Sequence, residues 1–172
     1  CSYLFPGLDA ELKILSNNKE RFKAAGINVL VSGSEIIDIS DNKFLTSSFL
    51  RKHGFDTPKT INMATVGEHA NPADPLPIPY ILKRKVGGAR SKDVFIIDSP
   101  DKLRTLISNG LKPEDYVAQE YIEGDEYTCG TISLDNVCMG VIIMRRILRD
   151  GDTYKCFSIR DEKLEIYIKN VI

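Results

Sequence analysis

The stretch that most clearly suggests chemistry is a run of cationic and small residues near the middle of the chain, ILKRKVGGARSKDV at positions 81–94. Small residues let backbone amides approach an anion, and Lys83 adds a positive point charge. The run is not a Walker motif, because no Gly-Lys-Ser/Thr sequence opens a helix here. A polyphosphate is the ligand that suits these residues. The alternative interpretation is a solvated hairpin with scattered charge.

A second candidate is an acidic, glycine-broken corner, VAQEYIEGDEYT at positions 117–128. A purine base requires one amide or carboxylate side chain and one backbone amide at its edge, and a further carboxylate can accept from both ribose hydroxyls. Gln119, Ile122 and Glu126 are candidates for these three roles. An exposed acidic hairpin is the alternative.

Three further cations are candidates. Lys43 follows Asp41 and Asn42 at the start of a predicted helix, where it either reaches a phosphate or solvates the helix end. Arg145 and Arg146 are candidate catalytic residues. Because side chains alternate along a strand, these two must face opposite sides of the sheet. The sequence does not say which one faces the site, and a surface ion pair or a packed guanidinium stem would explain either.

The first third of the chain must position Lys43. An apolar stripe from Leu8 to Ala25 predicts one amphipathic helix that Gly26 closes. The apolar run 27–31 predicts a strand buried on both faces. Asp41 is the predicted cap of a second helix, which Gly54 ends. Helices alternating with a buried strand favour an α/β layer.

The next stretch, 57–79, contains five prolines and is predicted to be a linker and the best domain boundary. Strands are predicted around 80–82 and 94–97, and Ser99-Pro100 predicts the start of a helix that ends at Gly110. The predicted strands that follow are 116–122, 126–134, 137–149, 152–160 and a fifth at 163–169. Asp135-Asn136 and Asp150-Gly151 are the predicted hairpin turns.

Composition narrows the class of protein. The 172 residues carry 23 basic and 24 acidic side chains, so the net charge of −1 gives no general case for binding nucleic acid or an anionic membrane. The four cysteines form no Cys-x-x-Cys pair, which argues against a zinc site and suggests a reduced, cytoplasmic protein. No apolar run approaches the roughly 20 residues that span a bilayer. Since no methionine starts the chain, we expect a segment of a longer protein.

The order of these stretches resembles the ATP-grasp superfamily, in particular members similar to the large subunit of carbamoyl-phosphate synthetase. ILKRKVGGARSKDV looks like the lysine-and-glycine strand pair of that family, and VAQEYIEGDEYT looks like its adenine-and-ribose corner. ISDNKFLTSSFLRKHGFDTPKT, positions 39–60, looks like its first helix, and PGLDAEL, positions 6–12, like the end of the domain before it. The likeness extends over nearly the whole chain.

The resemblance implies a role for each matching residue. Lys43 and Lys83 would contact the phosphates of ATP, and the loop around Gly88 and Ser91 would fold over them. Gln119 would meet the adenine amino group, with Glu120 as the alternative. The Ile122 backbone would meet the ring and Glu126 the ribose.

The sequence also departs from the family. Arg84 stands where a proline commonly follows the lysine, and Asp93 stands where a glycine is usual. The Mg²⁺ ligands of the family include a Glu-x-Asn pair, which does not occur before Ile172, so we expect the metal ligands beyond that residue.

The resemblance implies a mixed α/β (α+β) fold in three parts. These are residues 1–56, the end of a preceding domain with the first helix, residues 57–122, the small lid subdomain, and residues 123–172, the first strands of an incomplete C-terminal subdomain.

The implied function is the ATP-binding portion of a carboxylate–amine or carbamoyl-phosphate synthetase-like ligase. It would form a carbon–nitrogen bond through an acyl phosphate, and the segment alone would be inactive. A non-catalytic nucleotide-binding or regulatory module is the alternative, and a basic loop that contacts acidic partners or RNA is a weaker one. The sequence leaves open which carboxylate and amine are the substrates, whether the segment binds ATP unaided, and whether the protein forms a homo-oligomer. The remaining parts of the parent protein are expected partners.

Overall fold

A computed structural model describes residues 2–65, 76–87, 93–134, 137–149 and 151–172 of the chain. The architecture mixes helices with three small sheets, as predicted. The elements are β1 (Tyr3–Leu4), α1 (Asp9–Asn17), α2 (Lys19–Ala24), β2 (Asn28–Val29), α3 (Ser34–Asp41), α4 (Lys43–Lys52), β3 (Thr60–Asn62), β4 (Tyr80–Arg84), β5 (Val94–Ile97), α5 (Pro100–Ser108), β6 (Tyr116–Glu120), β7 (Glu126–Leu134), β8 (Val137–Arg149), β9 (Asp152–Ile159) and α6 (Glu162–Val171).

The N-terminal elements differ from the prediction in three ways. The single helix over 8–25 is wrong, because Asn18 leaves helical geometry and separates α1 from α2. The strand at 27–31 is also wrong in extent and burial. Only Asn28–Val29 pairs, in parallel with β1, and Asn28 is exposed while Val29 is buried. A helix that the sequence analysis did not predict, α3, follows.

The predicted second helix exists as α4, but its cap is Asn42 rather than Asp41. The Asn42 Oδ1 accepts hydrogen bonds from the backbone N–H groups of Phe44 and Leu45, at 3.1 and 3.2 Å. This arrangement satisfies two of the unpaired donors that every helix start exposes. Asp41 instead ends α3. Gly54 follows α4 with φ +79°, in the left-handed region that favours glycine, as predicted.

A four-stranded antiparallel sheet in the order β3-β6-β4-β5 forms the centre of the described structure. One face carries the buried core and packs against α5 through Leu103. The linker predicted for 57–79 is therefore wrong in part, since it contains β3. The proline content of that stretch obscured three residues, Thr60–Asn62, two of which are of the β-branched type that strands favour. All four strands lie within 57–122, although the domain bounds themselves stay a prediction.

The second half of the chain forms a three-stranded antiparallel sheet, β7-β8-β9. The predicted strands of this region are confirmed within two residues at their ends. Of the predicted hairpin-turn residues, 135, 136 and 150 lie outside the described parts, while Gly151 is in a turn with φ +78°, as predicted. The fifth strand at 163–169 is wrong, because this stretch is α6. Asp161 caps that helix by accepting from the N–H of Leu164 at 3.0 Å. Throughout the described ranges, no helix has the length and apolar character needed to cross a membrane.

Candidate functional site

The face of the four-stranded sheet opposite its core carries Lys83 and Gln119. Gln119 on β6 lies directly across from Ile81 on β4, and Lys83 lies two positions after Ile81 on β4. Residues two apart on a strand, and residues directly opposite on neighbouring strands, project to the same face. The structure therefore brings these two predicted residues to one surface. Two apolar side chains lie beside them on the same face, Ile81 on β4, which is half-buried, and Ile96 on β5, which is 47% exposed.

Lys43 reaches the same end of this sheet because the start of α4 docks on the chain that leaves β4. The backbone N–H of Lys43 donates to the carbonyl of Lys85 at 2.9 Å, and its ammonium donates to the carbonyl of Gly87 at 2.7 Å. An isolated bridge between Asn42 and Val86 completes the contact. A cation from the first third of the chain thus stands at the base of the predicted phosphate loop.

The two lysines share an electrostatic environment that disfavours their charge. Burial lowers the pKa of Lys83, and the neighbouring positive charge of Lys43 lowers it further. Burial also lowers the pKa of Lys43, an effect that Asp41 partly opposes. Within the described residues, no carboxylate forms an ion pair with either ammonium. Two partly buried ammonium groups, with Asp41 offsetting only part of the charge of Lys43, create a positive potential that an anion would relieve.

Gln119 is half-buried and fixed by one hydrogen bond, in which its Nε2 donates to Thr60 Oγ1 at 2.8 Å. Glu120 follows it on β6, and its carboxylate accepts from the backbone N–H of Lys59 at 3.1 Å. Alternation places the Glu120 side chain on the opposite side of the strand from Gln119. This geometry favours Gln119 over Glu120 as the group that faces a ligand next to Lys83.

The predicted corner leads from β6 to β7 and exposes its side chains. Ile122 is 61% exposed, and Glu126 begins β7 opposite Arg146. The Glu126 carboxylate forms an ion pair with the Arg146 guanidinium at 3.0 Å. Arg145 faces the other side of β8 and pairs with Asp125 at 2.8 Å.

Arg146 is the more firmly held of the two arginines. Besides its ion pair, it donates to Thr153 Oγ1 at 2.8 Å and to Thr128 Oγ1 at 3.2 Å. Its side chain is 25% exposed, against 51% for Arg145. Arg146 is therefore the arginine that shares a sheet face with Glu126.

Comparison with known proteins decides the family. The profile described as "ATP-grasp domain" matches residues 40–165, which is most of the chain. This protein belongs to the ATP-grasp family. A curated relative, D-alanine–D-alanine ligase of Bacillus anthracis, is 29% identical over 107 residues that make up 61% of this chain and 33% of the relative. The chain thus spans about a third of the length of that relative.

Two solved structures show the same fold. The biotin carboxylase domain of Hydrogenobacter thermophilus 2-oxoglutarate carboxylase, in complex with ADP, its magnesium salt and bicarbonate, superposes with a TM-score of 0.75 at 15% identity, covering 99% of this chain and 41% of that one. D-alanine–D-alanine ligase from Bacillus anthracis, complexed with ATP, superposes with a TM-score of 0.62 at 20% identity, covering 98% and 55%. At these identities the likeness concerns the fold alone.

Arg84 and Asp93, the two residues at which this ATP-grasp chain departs from the family pattern, lie close enough to pair with each other. The Asp93 carboxylate lies 3.8 Å from the Arg84 guanidinium, which lies equally far from Asp115. Arg84 alternates with Lys83, so this cluster sits on the core side of the sheet, beside Tyr116. Burial and the Asp93 charge raise the pKa of Tyr116. The extra carboxylate therefore points away from the lysine pair.

The backbone of Asp93 also fits the glycine that the resemblance leads one to expect at this position. Its φ is +58°, in the left-handed region that glycine adopts at low cost and that aspartate tolerates better than most residues. Gly88 and Ser91, the other predicted residues of the loop, lie outside the described residues.

Thr60 is a candidate site residue that the sequence analysis missed. It is only 5% exposed, lies opposite Gln119 on β3, and receives its amide N–H. The available signal was the short β-favouring Thr-Ile pair, which the surrounding prolines masked.

Mg²⁺ does not fit the part of the site that the structure describes. No group of three or more histidine, cysteine, aspartate or glutamate side chains able to hold a metal occurs among the described residues. Magnesium prefers near-octahedral oxygen ligation through carboxylates, waters and phosphates. The charged side chains that form this part of the site, Lys43 and Lys83, are cationic, so they do not supply the oxygen ligands that the ion requires.

Proposed function

We propose that this chain is the ATP-binding portion of a ligase that joins a carboxylate to an amine at the expense of ATP. The observation that carries the proposal is the pair Lys43 and Lys83 at one end of an open sheet face, where burial lowers the pKa of both ammonium groups and the charge of Lys43 lowers that of Lys83 further. A polyphosphate is the ligand that would reverse this cost.

The phosphate end of the nucleotide would lie against the lysine pair. An ammonium that donates to a phosphate oxygen forms a charge-assisted hydrogen bond, roughly twice as strong as one between neutral groups. Binding there also returns a counter-charge to two groups whose burial depresses their pKa. Lys43 keeps donors for this purpose, since its hydrogen bond to Gly87 uses one of three.

The base and the sugar would extend from the lysines toward the corner between β6 and β7. The apolar side chains of Ile81 and Ile96 offer a surface for the purine, while Gln119 and the backbone of Ile122 would read its edge. Glu126 would accept from the ribose hydroxyls, held in place by Arg146. The ATP-complexed structure among those compared supports an adenine nucleotide as the ligand of this fold.

The chemistry of the parent ligase would begin with attack of a carboxylate oxygen on the γ-phosphorus of ATP. The bond between that phosphorus and the β–γ bridging oxygen breaks, and ADP leaves. An amine then attacks the acyl carbon, inorganic phosphate leaves with the bonding electrons, and the nitrogen releases a proton to water. The lysine pair would neutralise charge on the transferring phosphoryl group, which is where a site of this kind contributes most.

We propose further that these 172 residues do not turn over ATP alone, because the described part contains no metal cluster. ADP production by the chain without its parent would contradict this. A non-catalytic nucleotide-binding module is the alternative suggested by the departures at Arg84 and Asp93, and their pairing at 3.8 Å on the core side favours the ligase instead. The narrower likeness to carbamoyl-phosphate synthetase and the cytoplasmic location stay predictions.

Isothermal titration of the native chain and of Lys83→Ala with ATP tests the proposal. Loss of one charged phosphate contact should weaken binding about tenfold or more. Equal affinity in the two proteins would remove the basis of the assignment. Lys102→Ala on α5, which lies on the core side of the sheet and pairs with Asp98 at 3.3 Å, is the matched control.

A further inference from the structure

The side-chain hydroxyl of Thr60 donates one hydrogen bond and accepts another, and its partners fix which is which. The Thr60 hydroxyl donates to the carbonyl oxygen of Pro58 at 2.9 Å, and it accepts from Nε2 of Gln119 at 2.8 Å. A carbonyl oxygen can only accept, so it claims the single hydroxyl proton. Toward Gln119 the hydroxyl therefore has only lone pairs to offer.

This chain of bonds fixes the orientation of the Gln119 side-chain amide. If the amide turned over, its oxygen would face the Thr60 oxygen, and two acceptors would meet without a proton between them. Thr60 is 5% exposed, so no bulk water is available to repair that contact, and an unpaired buried polar atom is costly. The amide oxygen of Gln119 therefore points away from Thr60. It accepts no hydrogen bond from the residues that the structure describes.

An oriented amide oxygen selects among purines. Adenine carries an amino group at C6, which donates, whereas hypoxanthine carries a carbonyl oxygen at the same position, which accepts. An acceptor held toward that edge pairs with the first and repels the second. Sites built to bond a particular polar group reject analogues that lack it more strongly than apolar pockets reject an added group.

We infer that Thr60 is a positioning residue for base specificity, which holds Gln119 as an acceptor so that the site prefers a 6-amino purine nucleotide over a 6-oxo one. The inference rests on the proposed function, because it requires that Gln119 reads a purine. It goes beyond that function in assigning the choice of base to a hydroxyl that never touches the nucleotide.

The experiment compares the affinities of ATP and inosine triphosphate, which differ in the base at C6 and in the proton on N1. We expect the native chain to prefer ATP by about 100-fold, from two mismatched hydrogen bonds of about tenfold each. In Thr60→Val the amide can turn and donate to the 6-oxo group. The ratio of the affinity for ATP to that for inosine triphosphate should then fall about tenfold. Inosine triphosphate should also bind more tightly than it does to the native chain. The Ile122 backbone should discriminate between the two bases equally in the native chain and in Thr60→Val, so its contribution cancels when the two proteins are compared.

Two further variants separate positioning from general damage. Thr60→Ser keeps the hydroxyl and should restore the native preference. In a Gln119→Met background, Thr60→Val should leave the preference unchanged, since there is no amide to orient. Thr105→Val, which removes a hydroxyl bonded to the Asp101 carbonyl on α5, is the matched control and should behave as the native chain. Should the valine variant not fold, Thr60→Ala against Thr60→Ser carries the same comparison.

The outcomes distinguish the inference from the function beneath it. A native chain that binds neither nucleotide overturns the proposed function and the inference with it. Tight ATP binding with an unchanged preference in Thr60→Val overturns the inference alone. A narrowed preference that Thr60→Ser fails to restore also counts against it. A gain in affinity for inosine triphosphate supports it, because a merely damaged fold would not produce one.

Discussion

Replacing Lys83 with methionine should weaken nucleotide binding and, at the same time, stabilise the empty protein. The side chain keeps its length and its apolar stem, and it loses only the ammonium. In the folded chain that ammonium is partly buried beside Lys43, without an ion-pair partner among the described residues. The variant therefore removes both an attraction for phosphate and a repulsion that opposes folding.

The size of each effect follows from the environment. A hydrogen bond to a charged group contributes about 1.5–3 kcal/mol, so ATP affinity should fall about 10- to 150-fold. Burial and the charge of Lys43 lower the pKa of Lys83, so removal of the ammonium should raise the free energy of unfolding. Because solvent still reaches Lys83 and screens its charge, we expect this gain in stability to be smaller than the loss of binding free energy.

The assay measures both quantities on one preparation. Titration calorimetry with ATP gives the affinity, and urea unfolding gives the free energy of unfolding, which should rise in Lys83→Met. Lys102→Met, an equal change of charge on the core side of the sheet, should leave the ATP affinity unchanged. A Lys83→Met protein that binds ATP as the native chain does, or that is destabilised by more than about 1 kcal/mol, would show that Lys83 is not an unpaired phosphate ligand.

Three other predictions follow from the same structure. The pKa of Lys83 is lower in the folded than in the unfolded chain, so the unfolded state binds more protons between the two values. The urea-measured stability of the native chain relative to Lys83→Met should therefore rise as the pH increases toward about 10.4, and a flat difference would contradict this. At Asp93, where φ is +58°, Asp93→Gly should be more stable to urea than Asp93→Ala by about 1 kcal/mol. The reverse order would be inconsistent with the backbone argument. Arg146→Met should reduce the preference for ATP over 2′-deoxy-ATP about tenfold in a competition assay, since Glu126 loses the partner that aims it at the ribose. An unchanged preference would dissociate Arg146 from sugar recognition.

Much of the sheet structure could be predicted because its signals are local. Alternating apolar residues and turn residues define β7, β8 and β9, and the Ser-Pro pair defines the start of α5. These patterns depend on a few adjacent residues, and the packing that surrounds them agrees with the local preference.

The wrong predictions arose where local preference and packing disagree. The stretch that forms α6 is rich in isoleucine and tyrosine, which favour strands, yet Asp161 caps it and Leu164, Ile168 and Val171 repeat at helical spacing on one side. The residues of β3 stand among prolines and form a strand only because β6 offers an edge to pair with.

The candidate site was predictable in its residue types but not in its assembly. The approach of Lys43 to Lys83 depends on the docking of α4 against the chain after β4, a contact between residues more than 40 positions apart. The pairing of Arg84 with Asp93, and the bond from Gln119 to Thr60, depend in the same way on strand register. No local pattern records such distances, so a sequence can propose the members of the site without showing which of them meet.

We propose that an adenine nucleotide lies along the open sheet face between the lysine pair and the corner after β6. NMR spectra of the isotope-labelled 172-residue chain, recorded during titration with ATP, would report this placement residue by residue. We predict that the side-chain amide of Gln119 and the backbone amides of 81–87 and 119–122 shift together, while those of α5 do not. Shifts confined to the cleft of about 890 Å³ beside Lys13 and Asp38, or no shifts at all, would contradict the account.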